Sequence, residues 1–378
     1  MRLYEYEAKQ LLRELGIAVP NGLVASTPEE AGAAVLELGG DAVVKAQALA
    51  GGRGKAGLIR LVSTREEAEQ AGAAILEATH RGERIEKLLV EERVQVAREL
   101  YLSISVDRLA GCPVILACAE GGVEIEEVAA IRPEAVVRRH VDVLKGLRTH
   151  EALQVARDMG LMGDDAVALG RFLLGLYAAF VQLDTHLLEV NPLVVTAEGK
   201  LVAADAKVIL DDDSAFRQPF YRIRNSEPGL SALEREGREK KLSYVDLDGT
   251  VALMGNGAGL VLSLLDLIRH FGATPANFLD TGGGASRAKA KDALGLVLKK
   301  AEQDPRVKSI LLAFSLSISL PEDAAGGVLD ALAETKSRVP VFAVVHGTRA
   351  EVGEELLRSA GVRVFPSIQE ATRAAATA

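Results

Sequence analysis

The sequence lacks several features that would assign it to a specialised class of protein. It has two cysteines in 378 residues, too few for a disulfide framework, which favours a reducing compartment. No apolar run reaches the roughly 18 residues that a membrane span requires, and the charged first residues are unlike a secretion signal. Its six histidines stand in no pattern typical of a nucleophile or a metal centre. These absences predict a cytoplasmic protein that does not enter a membrane.

An excess of basic residues is also missing. The chain carries 44 Lys and Arg against 53 Asp and Glu, and this net charge of −9 argues against nucleic acid as a partner. The hydrophobic fraction of 48% and the charged fraction of 26% are typical of globular proteins. Because 378 residues exceed the size of a single hydrophobic core, two or three domains are expected.

The stretch 187–207 predicts a β-hairpin, since two apolar-rich runs flank the turn-type residues Thr-Ala-Glu-Gly-Lys. If Val195 pairs with Leu201, then Asn191 falls opposite Asp205. The alternation of side chains along a strand places four polar residues on one face, which are Glu189, Asn191, Asp205 and Lys207. The opposite face is predicted to join the core and consists of Leu188, Val190, Val202, Ala204, Ala206 and Val208.

The polar face of this hairpin admits two interpretations. A carboxylate and an amide oxygen that meet across two strands suit Mg²⁺, which prefers oxygen ligands and leaves room for substrate phosphates. Alternatively, the polar face simply meets water, since such alternation is ordinary in antiparallel sheets. The hairpin by itself favours neither interpretation.

A glycine-rich basic loop spans residues 51–57 and follows a short predicted strand that ends at Lys45. Its glycines would let backbone N–H groups approach phosphate oxygens, and Arg53 and Lys55 would supply positive charge. The loop is not a P-loop, because Ala56 stands where that motif needs Ser or Thr. On spacing alone, a mobile surface loop is an equal alternative to a phosphate site.

The chain after Tyr244 consists of five predicted strand–helix units, which indicate an α/β domain with an open, doubly wound parallel sheet of flavodoxin-like type. Two glycine-rich turns, 255–259 and 282–284, would lie at the same carboxyl edge of this sheet, where such folds bind ligands. A dinucleotide site is a weaker alternative, because Leu260 replaces the last glycine of that fingerprint although Asp280 stands near the place of its ribose acid.

Several ordered motifs resemble those of the β subunit of succinyl-CoA synthetase, also called succinate–CoA ligase. The motifs are Tyr-Glu-Ala-Lys-Gln-Leu-Leu at 6–12, Val-Val-Lys-Ala-Gln at 43–47, Gly-Gly-Arg-Gly-Lys-Ala-Gly at 51–57, Leu-Val-Glu-Glu at 89–92, Glu-Gly-Gly-Val-Glu-Ile-Glu at 120–126, Glu-Val-Asn-Pro-Leu at 189–193, Phe-Arg-Gln-Pro at 216–219, Gly-Asn-Gly-Ala-Gly at 255–259 and Asn-Phe-Leu-Asp-Thr-Gly-Gly-Gly at 277–284. The resemblance extends from the N-terminus to about residue 300. It implies an ATP-grasp domain over 1–237, with a subdomain inserted at about 21–95, and a CoA-ligase domain over 245–378.

The resemblance also implies roles for individual residues. The ATP or GTP site would consist of Lys45, Gly52, Arg53 and Gly54 at the phosphates, Glu91 and Val94 at the base, and Glu99 at the ribose. Asn191 and Asp205 would bind Mg²⁺, and Glu189 would orient a phosphohistidine that belongs to a partner α subunit. That α subunit would also hold CoA, and Asn256 would help to bind a small dicarboxylate.

One stretch departs from the family pattern. Family members usually carry Phe-Gly-Gly-Ile followed by Arg near 314–320, whereas this chain reads Phe-Ser-Leu-Ser-Ile-Ser-Leu. The expected substrate-binding residues are therefore Leu316, Ser317, Ile318 and Ser319. A capping box from Ser319 to Glu322 is predicted to begin the next helix.

Three functional hypotheses follow from the sequence. In the first, the chain is the catalytic β subunit of an acid–CoA ligase that acts on succinate or a related dicarboxylate such as malate. In the second, the chain binds nucleotide and an α subunit but has an altered or lost ligase activity, as a regulatory paralogue would. In the third, it is an unrelated ATP-grasp ligase or an oxidoreductase.

Overall fold

The computed structural model describes residues 1–218, 230–316, 319–335 and 337–378. The chain divides into two compact units, Met1–Glu227 and Pro228–Ala378. The charged segment before Tyr244 forms helix Ala232–Glu239, which lies within the second unit. Within the described residues, no helix combines the length and the apolar character that a membrane crossing requires.

The first unit begins with a helix and a small antiparallel sheet. In chain order its elements are α1 Glu5–Glu14, β1 Gly22–Ala25, α2 Pro28–Glu37, β2 Ala42–Ala46, β3 Ile59–Val62, α3 Arg65–Leu76, β4 Thr79–His80, β5 Glu83–Arg84 and β6 Leu88–Glu92. The sheet has the order β1-β6-β2-β3, and β4 and β5 form a separate hairpin. Helices α2 and α3 begin at threonine caps and bury small apolar residues against this sheet.

A larger antiparallel sheet completes the first unit. Its elements are β7 Arg98–Asp107, β8 Cys112–Cys118, α4 Ile125–Ile131, β9 Val136–His140, α5 Thr149–Asp158, α6 Gly163–Gln182, β10 Thr185–Val195, β11 Leu201–Ala203 and β12 Ala206–Leu210. The strand order is β11-β10-β7-β8-β9, and β12 also pairs with β10. Leu12 of α1 lies in the same core as α5 and α6, so the small sheet is an insertion between α1 and β7.

The hairpin of β10, β11 and β12 keeps the predicted register but not the predicted core face. Val195 pairs with Leu201, and Glu189 pairs with Lys207. The pairing of β10 with β7 shifts by one residue between Val190 and Leu193, so the alternation of side chains is interrupted there. Ala203 therefore lies in the core, where Val202 and Ala204 were predicted, and the prediction for those two residues is wrong.

The second unit is a three-layer α/β domain. Its elements are α7 Ala232–Glu239, β13 Ser243–Asp246, β14 Val251–Gly255, α8 Ala258–His270, β15 Asn277–Asp280, α9 Arg287–Gln303, β16 Ser309–Leu316, α10 Pro321–Glu334, β17 Val341–Gly347, α11 Ala350–Ser359, β18 Arg363–Phe365 and α12 Ile368–Ala376. The strand order is β13-β15-β14-β16-β17-β18, with β13 antiparallel and the others parallel. The parallel strands follow the flavodoxin-like order, which confirms the predicted fold class.

The start of α10 corrects one prediction. The N-cap is Leu320, whose side chain has no acceptor for a capping hydrogen bond, and Pro321 begins the helix. The Ser319 hydroxyl lies outside the helix and accepts a hydrogen bond from the Ala285 N–H at 3.1 Å. The predicted capping box from Ser319 to Glu322 is therefore wrong, and Ser319 instead joins the end of β16 to the glycine-rich turn after β15.

Asn277 provides a test of the second unit, because its carboxamide replaces part of the strand pairing between β14 and β15. This fully buried side chain accepts from the Leu253 N–H at 3.0 Å and donates to the Leu253 carbonyl at 2.8 Å. We expect Asn277→Ala to lower the free energy of unfolding by about 2 to 4 kcal/mol, since both backbone groups lose their partner. Denaturant titration measures the change, and the exposed Asn21→Ala is the control, with a loss below about 1 kcal/mol.

Candidate functional site

A cavity of about 320 Å³ opens in the first unit beside the polar face of the hairpin. The glycine-rich loop that follows β2 forms one wall, and the hairpin with the turn before α4 forms the other. The residues of the hairpin that line it are Glu189, Asn191, Pro192, Asp205, Ala206 and Lys207. The prediction that the four polar hairpin residues share a face is confirmed, because all four contact this one cavity.

A buried cluster of ion pairs lies beside this cavity and centres on Glu5 of α1. One carboxylate oxygen of Glu5 lies 2.9 Å from Lys45 Nζ and 2.7 Å from Lys9 Nζ. The other lies 2.7 Å from the Arg53 guanidinium. The Glu5 side chain is only 1% exposed. A single carboxylate thus holds three cations from α1, β2 and the glycine-rich loop.

Two further carboxylates balance the charge of the cluster. Glu91 of β6 contacts Lys9 at 2.6 Å and Lys45 at 2.6 Å, and Asp205 of the hairpin contacts Arg53 at 2.8 Å. The cluster therefore contains three cations and three carboxylates. Such balance is necessary because an uncompensated charge in a protein interior is costly.

The protonation equilibria of the cluster reflect the competition between burial and pairing. Burial alone raises the pKa of Glu5, but the charges of Lys45, Lys9 and Arg53 outweigh it and hold that pKa well below its usual range. Burial alone lowers the pKa of Lys45, but Glu5 and its neighbouring carboxylates outweigh it and raise that pKa. Both groups therefore stay charged over the physiological pH range.

The pKa of Glu189 is shifted in the opposite direction to that of Glu5. Burial raises the pKa of its carboxyl, Lys207 opposes this effect, and the charge of Asp205 adds to it. On β7, burial and the charge of the neighbouring Glu189 carboxylate raise the pKa of Tyr101. Glu189 is thus a half-buried carboxylate that faces the cavity close to a second acid.

The donor set at the hairpin fits Mg²⁺ in the company of a phosphate ligand. Asp205 and Asn191 each present an oxygen at the cavity, and Asn191 is held by the Gly122 N–H, which donates to its Oδ1 at 2.7 Å. In the part of the chain that the structure describes, no group of three or more His, Cys, Asp and Glu side chains could hold a metal ion. Mg²⁺ needs fewer protein ligands, because substrate phosphates and water complete its octahedron.

The predicted nucleotide residues fall in three different places. Gly52, Arg53 and Gly54 line the cavity, whereas Lys45 and Glu91 lie in the ion cluster beside it. Glu91 is only 2% exposed, because its carboxylate contacts two lysines, and this leaves little of it for a base.

Two other predicted nucleotide residues stand outside the cavity lining. Val94 is half-buried in the connection between the two sheets. The Glu99 carboxylate lies beside Gly122. A Cβ atom added to Gly122 would be only 2.5 Å from a carboxylate oxygen of Glu99. Glu99 therefore stands next to the turn whose N–H holds Asn191.

The predicted substrate residues of the second unit stand at the carboxyl edge of its sheet. Asn256, between β14 and α8, donates to the Ser315 carbonyl at 2.8 Å and accepts from the Ser315 N–H at 2.7 Å. Leu316 is buried, and Ser319 contacts the turn after β15. Ser317 and Ile318 lie outside the described residues.

Sequence reasoning missed Glu5 and Lys9 as part of the site. Lys9 belongs to the Tyr-Glu-Ala-Lys motif at 6–9 and Glu5 directly precedes that motif, and their spacing of four residues places them together on one face of α1. That face also carries the buried Ala8 and Leu12, so a salt bridge on an otherwise apolar helix face was the available signal.

The ion cluster predicts a specific dependence of stability on pH. Because the pKa of Glu5 is depressed in the folded state, its contribution is complete above its unfolded pKa of about 4.3 and is lost as the pH falls through the folded value. We expect Glu5→Gln to destabilise the chain by about 3 to 5 kcal/mol at neutral pH. The unfolding temperature of the unchanged chain should decline below about pH 4, and in this variant that decline should be smaller.

The exposed Glu14→Gln, on the same helix, is the control and should change the stability by less than about 0.5 kcal/mol. A Glu5→Gln variant as stable as the control at neutral pH would contradict the role given to the cluster.

Comparison with known proteins agrees with this architecture. Residues 2–195 match the ATP-grasp domain family, and residues 254–378 match the CoA-ligase family. The chain is 42% identical over 376 residues to the succinate–CoA ligase [ADP-forming] β subunit of Methanothermobacter thermautotrophicus, covering 99% of this chain and 98% of that protein. It is also 42% identical over 374 residues to the [GDP-forming] β subunit of Thermus thermophilus, with the same two coverages.

A solved structure supports the fold. The ATP citrate lyase of Methanothrix soehngenii, determined with citrate and coenzyme A, superposes with a TM-score of 0.81 at 22% identity and covers 100% of this chain and 99% of that one. At this identity the likeness concerns the fold alone. Taken with the two family matches and the full-length relatives, it leads to one conclusion: the chain belongs to the family of succinate–CoA ligase β subunits.

Proposed function

We propose that this chain is the nucleotide-binding β subunit of an acid–CoA ligase that acts on succinate or a closely related dicarboxylate. The observation that carries the proposal is the cavity itself, in which a glycine-rich loop with Arg53 faces the oxygen ligands Asn191 and Asp205. Backbone N–H groups and an arginine suit phosphate oxygens, and the opposite wall suits the accompanying cation. Full-length relatives with the same subunit name support it.

The proposed reaction has three steps. The terminal phosphoryl group of ATP or GTP passes to an imidazole nitrogen of a histidine in a partner α subunit, and the nucleoside diphosphate leaves. The phosphoryl group then passes to the dicarboxylate, which forms an acyl phosphate and frees the histidine. CoA thiolate finally attacks the acyl carbon and displaces phosphate. The β subunit contributes positioning and charge neutralisation rather than a covalent bond.

The residues of the cavity have defined tasks in this proposal. Gly52, Arg53 and Gly54 hold phosphate oxygens, with Lys45 contributing its charge from the ion cluster. Asn191 and Asp205 hold Mg²⁺, which neutralises the phosphate charge when it is bound. Because Asp205 and Arg53 form an ion pair here, binding of the Mg-nucleotide would exchange this pair for two new ones, Arg53 with phosphate and Asp205 with the cation.

Asp205→Asn tests the metal assignment. We expect the full chain, co-purified with its α subunit, to lose at least about 100-fold in the rate of nucleoside diphosphate release with CoA and succinate, because a charged ligand of the cation is replaced by a neutral one. The control is Glu198→Gln in the exposed turn of the hairpin, which should keep the original rate. An Asp205→Asn variant with full activity would remove the metal assignment.

Glu189→Gln tests the positioning role at the histidine. The raised pKa of Glu189 means that it takes up a proton at a higher pH than an ordinary carboxyl, so kcat should decline on acidification as its charge is lost. The variant should show a lower kcat, a nucleotide affinity within about twofold of the original, and no such acid limb. A pH–rate profile that keeps its acid limb in Glu189→Gln would contradict the assignment.

A different acid substrate, or a loss of ligation, is the second candidate. It is favoured by Leu316, whose buried side chain stands where the family pattern has glycine, and by Asn256, whose carboxamide is engaged with the Ser315 backbone. Assays with succinate, malate and other dicarboxylates, each with ATP and with GTP, separate the possibilities. Phosphorylation of the partner histidine without turnover of any acid would indicate a regulatory subunit, and turnover of succinate would remove that candidate.

A further inference from the structure

The β4–β5 hairpin has an unusual tip. Its two-residue turn consists of Arg81 at φ 50° and Gly82 at φ 87°. Turns with two positive φ values favour Asn-Gly or Gly-Gly. Most residues with a Cβ atom are strained in the left-handed region, and asparagine tolerates it better than arginine does. An arginine at this position costs stability, and residues in such conformations are often found at functional sites.

The same hairpin holds the beginning of the glycine-rich loop. His80, which is only 7% exposed, lies with Nε2 3.0 Å from the Gly51 carbonyl oxygen and donates to it. Glu83 accepts from the Leu49 N–H at 3.2 Å, and its other oxygen lies 3.3 Å from the Tyr4 hydroxyl, which donates to it. The two residues that flank the turn thus hold the Gly51 carbonyl of the loop and the Leu49 N–H just before the loop, and the turn itself faces the loop.

Arg81 lies against the glycine that forms part of the cavity wall. One guanidinium nitrogen of Arg81 stands 3.5 Å from the point that a Cβ atom on Gly52 would occupy. Gly52 has φ 86°, so a side chain there is disfavoured by the backbone conformation, while Arg81 would be only in ordinary contact with its Cβ atom. The bare backbone at Gly52 therefore leaves space between the loop and the guanidinium.

The other cations of the loop already have carboxylate partners. Arg53 contacts Glu5 and Asp205, and the exposed Lys55 stands 3.4 Å from the exposed Glu127. Among the residues that the structure describes, Arg81 has neither an ion pair nor a hydrogen-bond partner for its guanidinium. Arg81 is the cation beside the loop that an anion can reach without displacing a carboxylate.

We propose that Arg81 is a further phosphate-binding residue, which donates its guanidinium fork to the terminal phosphates of a nucleoside triphosphate lying over Gly51 to Gly54. This inference rests on the proposed function, because it assumes that the cavity takes a nucleotide. A guanidinium suits this task since its planar fork binds two phosphate oxygens at once. The left-handed turn aims it at the loop, and the cost in stability is retained for that reason.

The proposal predicts opposite changes in affinity and stability for Arg81→Asn. Asparagine fits the left-handed turn better than arginine, so the unfolding temperature should stay equal or rise. Affinity of the full chain for Mg-bound non-hydrolysable ATP, measured by calorimetry, should fall about tenfold because a charge-assisted hydrogen bond is lost. AMP, which lacks the terminal phosphates, should bind both forms equally well. Arg81→Lys keeps the positive charge but not the planar fork, so its affinity for the triphosphate should lie between those of the original chain and Arg81→Asn.

Arg84→Gln is the matched control, since Arg84 is an exposed arginine of the same hairpin and its loss removes the same charge. It should leave the affinity unchanged. Equal affinity of Arg81→Asn and the original chain would overturn the proposal, as would an equal loss in Arg84→Gln or a loss that affects AMP as strongly as the triphosphate. Failure of the original chain to bind any nucleotide would instead refute the proposed function, and this assignment with it.

Discussion

The ion cluster around Glu5 connects parts of the first unit that are distant in sequence. It joins α1, β2, β6, the glycine-rich loop and the hairpin, and both Lys9 and Lys45 also donate to the Ala204 carbonyl at 2.7 Å. Removal of one partner would leave a buried charge without compensation, which costs more than the pairs contribute. The small sheet and the large sheet are thereby held at one geometry, and the cavity beside the cluster depends on it.

This cluster also decides how the cavity can receive an anion. Arg53 is neutralised by Glu5 and Asp205, so a phosphate group must compete with carboxylates for it. In the proposed function, a divalent cation that binds together with the phosphate would compensate Asp205 as the phosphate takes Arg53, and this exchange of one ion pair would couple the two binding events. Arg81 differs because its guanidinium has no such competitor among the described residues.

In the second unit, two glycine-rich turns meet at the point where the strand order reverses, between β14 and β16, which is where such folds commonly bind ligands. There the Asn256 carboxamide bridges to the Ser315 backbone, and the Asp280 carboxylate accepts from the N–H groups of Gly257 and Gly282. These contacts fix the glycine-rich turns at the edge where a carboxylate substrate is proposed to bind. Under that proposal, the side chain of Leu316, which replaces a glycine of the family pattern, would help to decide which acid fits.

The sequence by itself determined the fold class, most helix and strand positions, the hairpin register from Val195 to Leu201 and the shared face of Glu189 and Asp205, because these follow from local periodicity and turn chemistry. It could not reveal the shift between Val190 and Leu193, nor that Leu320 rather than Ser319 caps α10, because packing against other strands and turns decides both. Only the tertiary structure brought Glu5, Glu91 and Asp205 into one cluster with their cations and placed Arg81 against Gly52. Charges from segments far apart in the chain meet only after folding, and no local pattern records where they will meet.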